Sequence, residues 1–355
     1  MKMIYLYSGL VSFVMCLALT WGALKVFPRI GMMDKPHKYG LTRAPIPYAG
    51  GVIFYIVFLV VVGFFADWNL QIAGVVLGAL ILLIVNLIDD LKALSPWPRL
   101  MAQGLAALVV VLSGVRVDHV TNPFGGAIDL SGLDISFGVG VHLVSVSFVG
   151  LFVTVVWILA MVNTMNWLDG LNGLPSGVTV IAATTIFALA IRPDFHAIDQ
   201  TQTAILAISV VGMALAFWFF DFSPAKILMG DTGSMFFGYM LAVLAILSGG
   251  KIATAFLVMG LPLIDFAWVI ARRVIEGKSP FRGDLRHFHH RLVAAGISER
   301  KSLFVIYAVC AAFGATALFL GTAQKLVAVV VLGVMVAGVG VWLTWGSGRS
   351  DIVKK

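Results

Sequence analysis

Charge is what this sequence has least of. Of 355 residues, 12% are Asp, Glu, Lys or Arg, where a soluble domain of that length carries about a quarter. Cysteine is almost absent: Cys16 and Cys310 both sit inside apolar runs, which excludes a disulfide framework and a cysteine-based zinc site. No G-x-x-x-x-G-K-[ST] and no H-E-x-x-H occurs anywhere in the chain, so a Walker-type nucleotide site and a zinc metalloprotease are excluded with them. Long polar stretches, low-complexity tracts and clear internal repeats are missing too, and with them any soluble domain.

What remains is apolar. Hydrophobic residues make up 60% of the chain and the mean hydropathy is +1.01. Runs of roughly twenty apolar residues recur from end to end, each long enough to cross a bilayer core of about 30 Å. The pattern predicts an all-α, polytopic integral membrane helix bundle forming a single domain over 1–355. A β-barrel would instead alternate polar and apolar residues. Eleven spans are expected, near 3–27, 49–66, 70–88, 99–115, 146–168, 174–191, 203–220, 233–248, 252–274, 302–320 and 325–345. The first is expected to stay in place and not to act as a cleaved signal, because Lys25 and Arg29 follow its apolar stretch. Segment 116–145, punctuated by glycines, is expected to form a small β-hairpin on the outer face.

Basic residues behind the first span predict an outer N-terminus and a cytoplasmic C-terminus. With that topology, 19 of the 24 Lys and Arg fall inside and five outside. The net charge of +7 is then a consequence of membrane orientation, and no nucleic-acid partner is needed to explain it.

The acids sort by the same topology. Six lie scattered in outer loops. Asp34, Asp89, Asp90, Asp169, Asp221, Asp231 and Asp284 lie on the inner side, nearly all in motif-like surroundings, and Asp265 stands inside the ninth span. In "VNLIDDLKALSP", Asp89 and Asp90 end an apolar helix. Adjacent carboxylates repel, so the pair calls for a metal or a basic partner, unless it is simply a polar helix end at the interface. In "AKILMGDTGSMFFGY", Asp231 lies between Gly230 and a Thr-Gly-Ser turn that opens another helix. Such a turn offers free N–H groups to phosphate and a hard oxygen ligand to Mg²⁺, or is an ordinary helix cap.

Asn163, Asn166 and Asp169 follow one another at intervals of three in "NTMNWLDGLNGL", before Gly170 and Gly173 break the helix. They suit a polar ligand or a metal shell, although amides also tie helices together. "FRGDLRHFHHRL" crowds Asp284, Arg286, His287, His289, His290 and Arg291 into the longest inner loop, a set suited to pyrophosphate. "MMDKPHKYGLTRAPIPYAGG" places Lys35, Lys38 and Arg43 beside prolines and glycines on the same side. Five clusters on one face point to one site: acids for a cation, basic groups for phosphates, amides for a base or sugar. The donor expected there is a nucleoside diphosphate, and the bundle around it points to a lipid acceptor.

Taken together, the "DD" at 89–90, N-x-x-N-x-x-D-G at 163–170, "GDTGS" at 230–234 and "HFHHRL" at 287–292 resemble the polyprenyl-phosphate N-acetylhexosamine-1-phosphate transferases. The likeness runs from about Asp34 to Leu292, followed by two closing spans at 302–345, and is nearer to the WecA/TagO branch than to MraY. It implies transfer of a sugar-1-phosphate from a UDP-N-acetylhexosamine to undecaprenyl phosphate, with release of UMP. It also implies a Mg²⁺ requirement (Mn²⁺ as the alternative), an inner-membrane location with the site facing the cytoplasm, and a homodimer by analogy. GlcNAc is the default sugar; GalNAc, QuiNAc, FucNAc and MurNAc-pentapeptide donors are the alternatives, in envelope polysaccharide or teichoic acid synthesis.

Carried over by motif, Asp231 is the principal metal ligand, with Asp169 beside it, and Asp89 or Asp90 activates or positions the lipid phosphate. Lys38, Arg43, Asn163, Asn166, Asp169, Gly170 and Asn172 line the nucleotide-sugar side. His287, His289, His290 and Arg291 hold the donor's phosphate or sugar end. The chain departs from the family's D-G-x-D-G-L at one position, where Asn172 replaces the second Asp. Asp265, following Pro262, is expected to shape a kinked helix and take no part in chemistry. Two other classes compete: a secondary transporter, whose acids would sit near the bilayer midplane, and a zinc hydrolase built on the histidines.

Overall fold

The structure is a computed structural model and describes residues 2–39, 42–122, 126–130, 134–139, 142–192, 199–249, 252–279 and 287–347. Its helices are α1 (Met3–Val26), α2 (Gly51–Phe65), α3 (Leu70–Lys92), α4 (Pro96–Leu112), α5 (Phe148–Leu168), α6 (Leu174–Ala190) and α7 (Thr201–Asp221), followed by α8 (Gly230–Leu247), α9 (Ile252–Val258), α10 (Gly260–Ile275), α11 (Phe288–Ala294), α12 (Glu299–Ala317) and α13 (Thr322–Ser347). Every expected apolar run is helical. Polar caps set several starts: Asn69 accepts from the Ile72 N–H, Ser147 from Gly150 and Ser298 from Lys301.

Length limits the count of spans. Among the described residues, six helices are long and apolar enough to cross a membrane, and a bent pair brings the total to seven. The 15 residues of α2 and the 17 of α4 and α6 extend only about 23–26 Å at 1.5 Å per residue. The ninth expected span is itself two helices, α9 and α10, bent by 82° around Met259. Pro262 sits in the first turn of α10, where its missing N–H and its ring prevent a continuous helix from running through from α9.

The centre of the bundle is α8, apolar on every side and buried along nearly its whole length. It packs against α2, α3, α5, α6, α7 and α9. Phe237 stacks on Phe54 of α2 at 4.4 Å, and Tyr239 donates to the Val75 carbonyl of α3 at 2.9 Å. Two antiparallel ladders interrupt the all-α pattern: β1 (His119–Thr121) with β2 (Ala127–Asp129), and β3 (Asp134–Val139) with β4 (His142–Ser147). The segment expected to give one hairpin thus gives two strand pairs. Segments expected outside meet one another, as in Lys2 with Thr201 at 2.7 Å and Gln202 with Asp67 at 2.7 Å.

The contact of α8 with α5 depends on Gly238. A Cβ there would lie 2.6 Å from the Met161 carbonyl oxygen and 2.7 Å from the Val162 Cα. Gly238→Ala is expected to force the two backbones apart and cost about 1–3 kcal/mol, read as a lower Tm of the purified protein in detergent. An unchanged Tm would contradict this packing.

Candidate active site

The acid pair divides. Asp89 and Asp90 end α3, but their side chains face different elements. Asp90 turns to the start of α8: its Oδ1 accepts from the Asp231 N–H at 2.8 Å, and its Oδ2 from the N–H and hydroxyl of Thr232 at 3.1 and 2.8 Å. A carboxylate from another helix thus caps the N-terminus of α8, where free N–H groups and the helix dipole favour a negative charge. Gly230 permits this twice over, with a φ of +71° and with Asp90 Oδ2 only 2.6 Å from where a Cβ would stand. Asp89 faces the other way. Its Oδ1 accepts from the Leu94 N–H at 2.5 Å, and its Oδ2 lies 3.2 Å from Arg99.

Arg99 is the site residue that the sequence did not single out. It stands in the first turn of α4, its second guanidinium nitrogen 2.7 Å from Asp231 Oδ2 and 3.1 Å from Asn166 Oδ1. The Asn166 amide donates to Asp231 Oδ1 at 2.8 Å and to Ser234 at 3.2 Å. One guanidinium thereby gathers side chains from α3, α5 and α8. A signal was available: a cation in a helix's first turn opposes the dipole, so Arg99 called for an acid partner. The Lys92 side chain, nearer in sequence, is exposed.

The three polar residues closing α5 also separate. Asn163 and Gln103 of α4 exchange hydrogen bonds, at 2.6 Å from the Asn163 amide and 3.4 Å in return, and Asn163 also donates to Leu159 O. That residue ties two helices. Asn166 joins the acids. Asp169 caps the end of α5; desolvation, with the carboxylates of Asp221, Asp231 and Asp90 around it, raises its carboxyl well above the usual range. Such a group calls for a cation.

The histidines of α11 close over this loop. A Cβ on Gly170 would lie 2.8 Å from His289 Nε2 and 3.1 Å from His290 Nε2. His289 and His290 are 4.1 Å apart by ring centroid, and Trp167 meets His287 edge-on at 5.1 Å. Burial, with His290 and His287 beside it, holds the imidazole of His289 well below the usual histidine range, so it is neutral. Arg291 lies half-buried on the same helix. Asp265 is corrected here: it does more than shape a kink. Its Oδ2 lies 2.8 Å from His287 Nδ1, and its Oδ1 accepts from the Phe288 N–H at 2.9 Å, so α10 carries the group that holds the histidines. Asp284 and Arg286 lie outside the described residues.

The loop between α1 and α2 docks on the same corner. Leu228 N–H donates to Pro47 O at 2.9 Å, Gly50 N–H to Leu228 O at 3.0 Å and Gly51 N–H to Met229 O at 2.9 Å. Arg43 is bound to Asp34, at 2.5 Å between Nη2 and Oδ2, and Asp34 also accepts from the Ile46 N–H at 2.7 Å. This pair braces the loop; Arg43 is committed to an acid of its own segment. Desolvation and the carboxylates of Asp90, Asp231 and Asp169 raise the Tyr48 phenol, which stays a donor beside Asp90. Lys38 lies in the 3-10 turn Pro36–Tyr39, and its side chain lies outside the described part. Asn172 is half-buried in the turn before α6.

From Arg99 a cavity of about 550 Å³ runs between α4, α5 and α10. Arg99, Gln103, Asn163 and Asn166 form its polar end, and Pro96, Val156, Leu159, Phe266 and Ile270 its apolar walls. Val156 and Trp268, on α5 and α10, present exposed apolar surface alongside. Among the described residues no group of three His, Cys, Asp or Glu side chains could hold a metal by itself. Asp89, Asp231 and Asn166 nonetheless offer hard oxygen donors, and Mg²⁺ commonly takes one or two carboxylates with the remainder from phosphate and water.

The comparisons with known proteins agree with this geometry. The profile of glycosyl transferase family 4 matches residues 72–249. A probable undecaprenyl-phosphate N-acetylglucosaminyl 1-phosphate transferase of Bacillus subtilis (strain 168) is 31% identical over 325 residues, 88% of this chain and 84% of the relative. A decaprenyl-phosphate N-acetylglucosaminephosphotransferase of Mycobacterium tuberculosis (strain H37Rv) is 29% identical, over 93% and 86% of the two chains. An undecaprenyl-phosphate alpha-N-acetylglucosaminyl 1-phosphate transferase of Haemophilus influenzae is 30% identical, over 80% and 79%. With half of its length under the family profile and most of it aligned to such relatives, the chain belongs to glycosyl transferase family 4.

Proposed function

We propose that the chain transfers N-acetylglucosamine-1-phosphate from UDP-GlcNAc to undecaprenyl phosphate and releases UMP, at the cytoplasmic face of a bacterial inner membrane. The observation that carries this is the gathering of Asp89, Asp231 and Asn166 on Arg99 at the polar end of an apolar cavity. The curated relatives, named for the same transfer to undecaprenyl or decaprenyl phosphate, support the choice of sugar and acceptor. The distribution of Lys and Arg supports eleven crossings with the N-terminus outside. The shorter helices then cross where protein packing thins the lipid.

The isoprenoid chain would lie in the cavity between α4, α5 and α10, with its phosphate at Arg99. Asp89, paired with Arg99 at that end, is assigned to the lipid phosphate, which it orients or deprotonates. Asp90, with both oxygens committed to α8, is assigned a supporting part: it fixes the turn that carries Asp231. The loop 169–173, with the histidines and Arg291, is assigned to the UDP-sugar. Asp231, aided by Asp89, Asn166 and the nearby Asp169, would hold Mg²⁺, which when bound neutralises charge on the pyrophosphate. A phosphate oxygen of the lipid then attacks the phosphorus that bears the sugar, and the bond to UMP breaks.

This division separates two adjacent acids by measurement. Asp89→Asn is expected to lower kcat for UMP release by at least about 100-fold, with a smaller fall in Tm in detergent than Asp90→Asn gives, since Arg99 keeps its contact with Asp231. Asp90→Asn is expected to lower Tm as well, because a charge-assisted cap worth roughly 1.5–3 kcal/mol is weakened. Equal effects of the two on both quantities would contradict the assignment. EDTA is expected to abolish UMP release and added Mg²⁺ to restore it; restoration by Zn²⁺ alone would favour the hydrolase reading.

The cavity gives an independent test. Ala160→Trp fills it from α5 and is expected to raise KM for undecaprenyl phosphate by about tenfold or more, with KM for UDP-GlcNAc within about twofold. A change in the donor KM alone would place the lipid elsewhere.

A further inference from the structure

A loop that carries site residues is only as well placed as whatever holds it. The segment from Asp169 to Gly173 leaves α5 and turns into α6, and its last residue is gripped from two sides. The Gly173 N–H, which belongs to the peptide joining Asn172 to Gly173, donates to Asp221 Oδ2 at 3.2 Å. The Ser176 hydroxyl donates to the same oxygen at 2.8 Å. From the other side the Tyr307 hydroxyl donates to the Gly173 carbonyl, and the Trp218 ring N–H donates to that hydroxyl at 3.1 Å.

Both grips are built into the bundle. Asp221 closes α7 and is 1% exposed. A carboxylate taken from water to that depth is costly unless its hydrogen bonds are kept, and the two it accepts here come from the loop and from the first turn of α6. Tyr307 reaches in from α12 because residue 177 is glycine: a Cβ there would lie 2.0 Å from the Tyr307 ring. The start of α12 is fastened nearby, where Arg300 donates to the Ser223 carbonyl at 3.0 Å and lies 5.7 Å over the Phe222 ring.

We propose that Asp221 and Tyr307 are positioning residues of the donor site, clamping Gly173 so that Asp169, Gly170 and Asn172 are held against the histidines of α11. This rests on the reading of that loop as the nucleotide-sugar side. It makes α12, outside the stretch matched by the family profile, a working part of the site. The clamp also accounts for the amide at 172. Asp221 stands at the peptide bond that follows residue 172. A carboxylate at 172 would therefore stand about one residue from a second, buried carboxyl group. With Asn172 in the loop, the carboxylate beside this peptide is supplied by α7.

The test compares Tyr307→Phe, Asn172→Asp and the double variant Asn172→Asp with Asp221→Asn. For each, kcat and the separate KM values for UDP-GlcNAc and undecaprenyl phosphate are measured, with Tm in detergent. Tyr307→Phe keeps the ring and removes the hydroxyl with both of its hydrogen bonds, to the Gly173 carbonyl and from the Trp218 ring N–H, so the donor KM is expected to rise about fivefold, with lipid KM unchanged and only a small fall in Tm. Asn172→Asp is expected to raise the donor KM about tenfold or more, and adding Asp221→Asn to bring it back to within about threefold of wild type. An active wild type with an unchanged donor KM in Tyr307→Phe would overturn the clamp alone. So would a double variant at least as impaired as Asn172→Asp. A wild type that releases no UMP from UDP-GlcNAc or any other UDP-N-acetylhexosamine would overturn the donor-site reading, and the clamp with it.

Discussion

The guanidinium of Arg99 lies between Asp89 and Asp231, and the arrangement of this corner follows from that bridge. An apolar bundle that brings Asp89, Asp90, Asp169, Asp221 and Asp231 to one end accumulates like charges where water is scarce, which destabilises each of them. Three devices offset the repulsion. Arg99 neutralises two of the acids directly; the N-terminus of α8 absorbs the charge of Asp90; and the loop before α6 wraps Asp221 in hydrogen bonds. What is left, Asp169 with the two carboxylates that share the single guanidinium of Arg99, is the set that a bound cation would satisfy. The need for neutralisation and the chemistry proposed for the site therefore come from one arrangement.

Much of this was legible in the sequence because the signals were local. Twenty-residue apolar runs became helices, and the polar clusters became one corner, since the C-terminal ends of α3 and α5 meet the N-terminal ends of α8 and α11. The topology that sorted Asp89, Asp90, Asp169 and Asp231 onto one face also put Asp67 near Gln202 and Lys2 near Thr201 at the other. Less legible was anything that depends on which way a side chain turns. Asp89 and Asp90 are adjacent, and no periodicity says that one faces Arg99 while the other caps α8. Asn163 and Asn166 read as one stripe, yet Gln103 takes the first and Asp231 the second.

Long-range partners were the other blind spot. Arg99 reads as one more inner cation, Tyr307 as one aromatic in an apolar helix, and Asp265 as a polar residue after a proline. Each acquires its meaning from a residue on a different helix: Arg99 from Asp231, Tyr307 from Gly173, Asp265 from His287. Arg43 shows the converse. The family resemblance implied a contact to nucleotide, and the structure adds a partner that the resemblance did not name: Asp34, nine residues away, with which Arg43 braces the loop that carries Tyr48. The ninth span misled for a related reason, because hydropathy registers apolar length and not the break at Met259. Beyond that break α10 forms one wall of the cavity and supplies Asp265.

The account stands or falls on whether this corner joins a lipid phosphate to a sugar phosphate. The most direct measurement is the mass of the lipid recovered after purified protein is incubated with undecaprenyl phosphate, Mg²⁺ and each of several UDP-N-acetylhexosamines in turn. The account predicts that the lipid gains the mass of one N-acetylhexosamine-1-phosphate, with UDP-GlcNAc as the donor that works best. A lipid unchanged in mass with every donor, from protein that is folded and holds Mg²⁺, would contradict it.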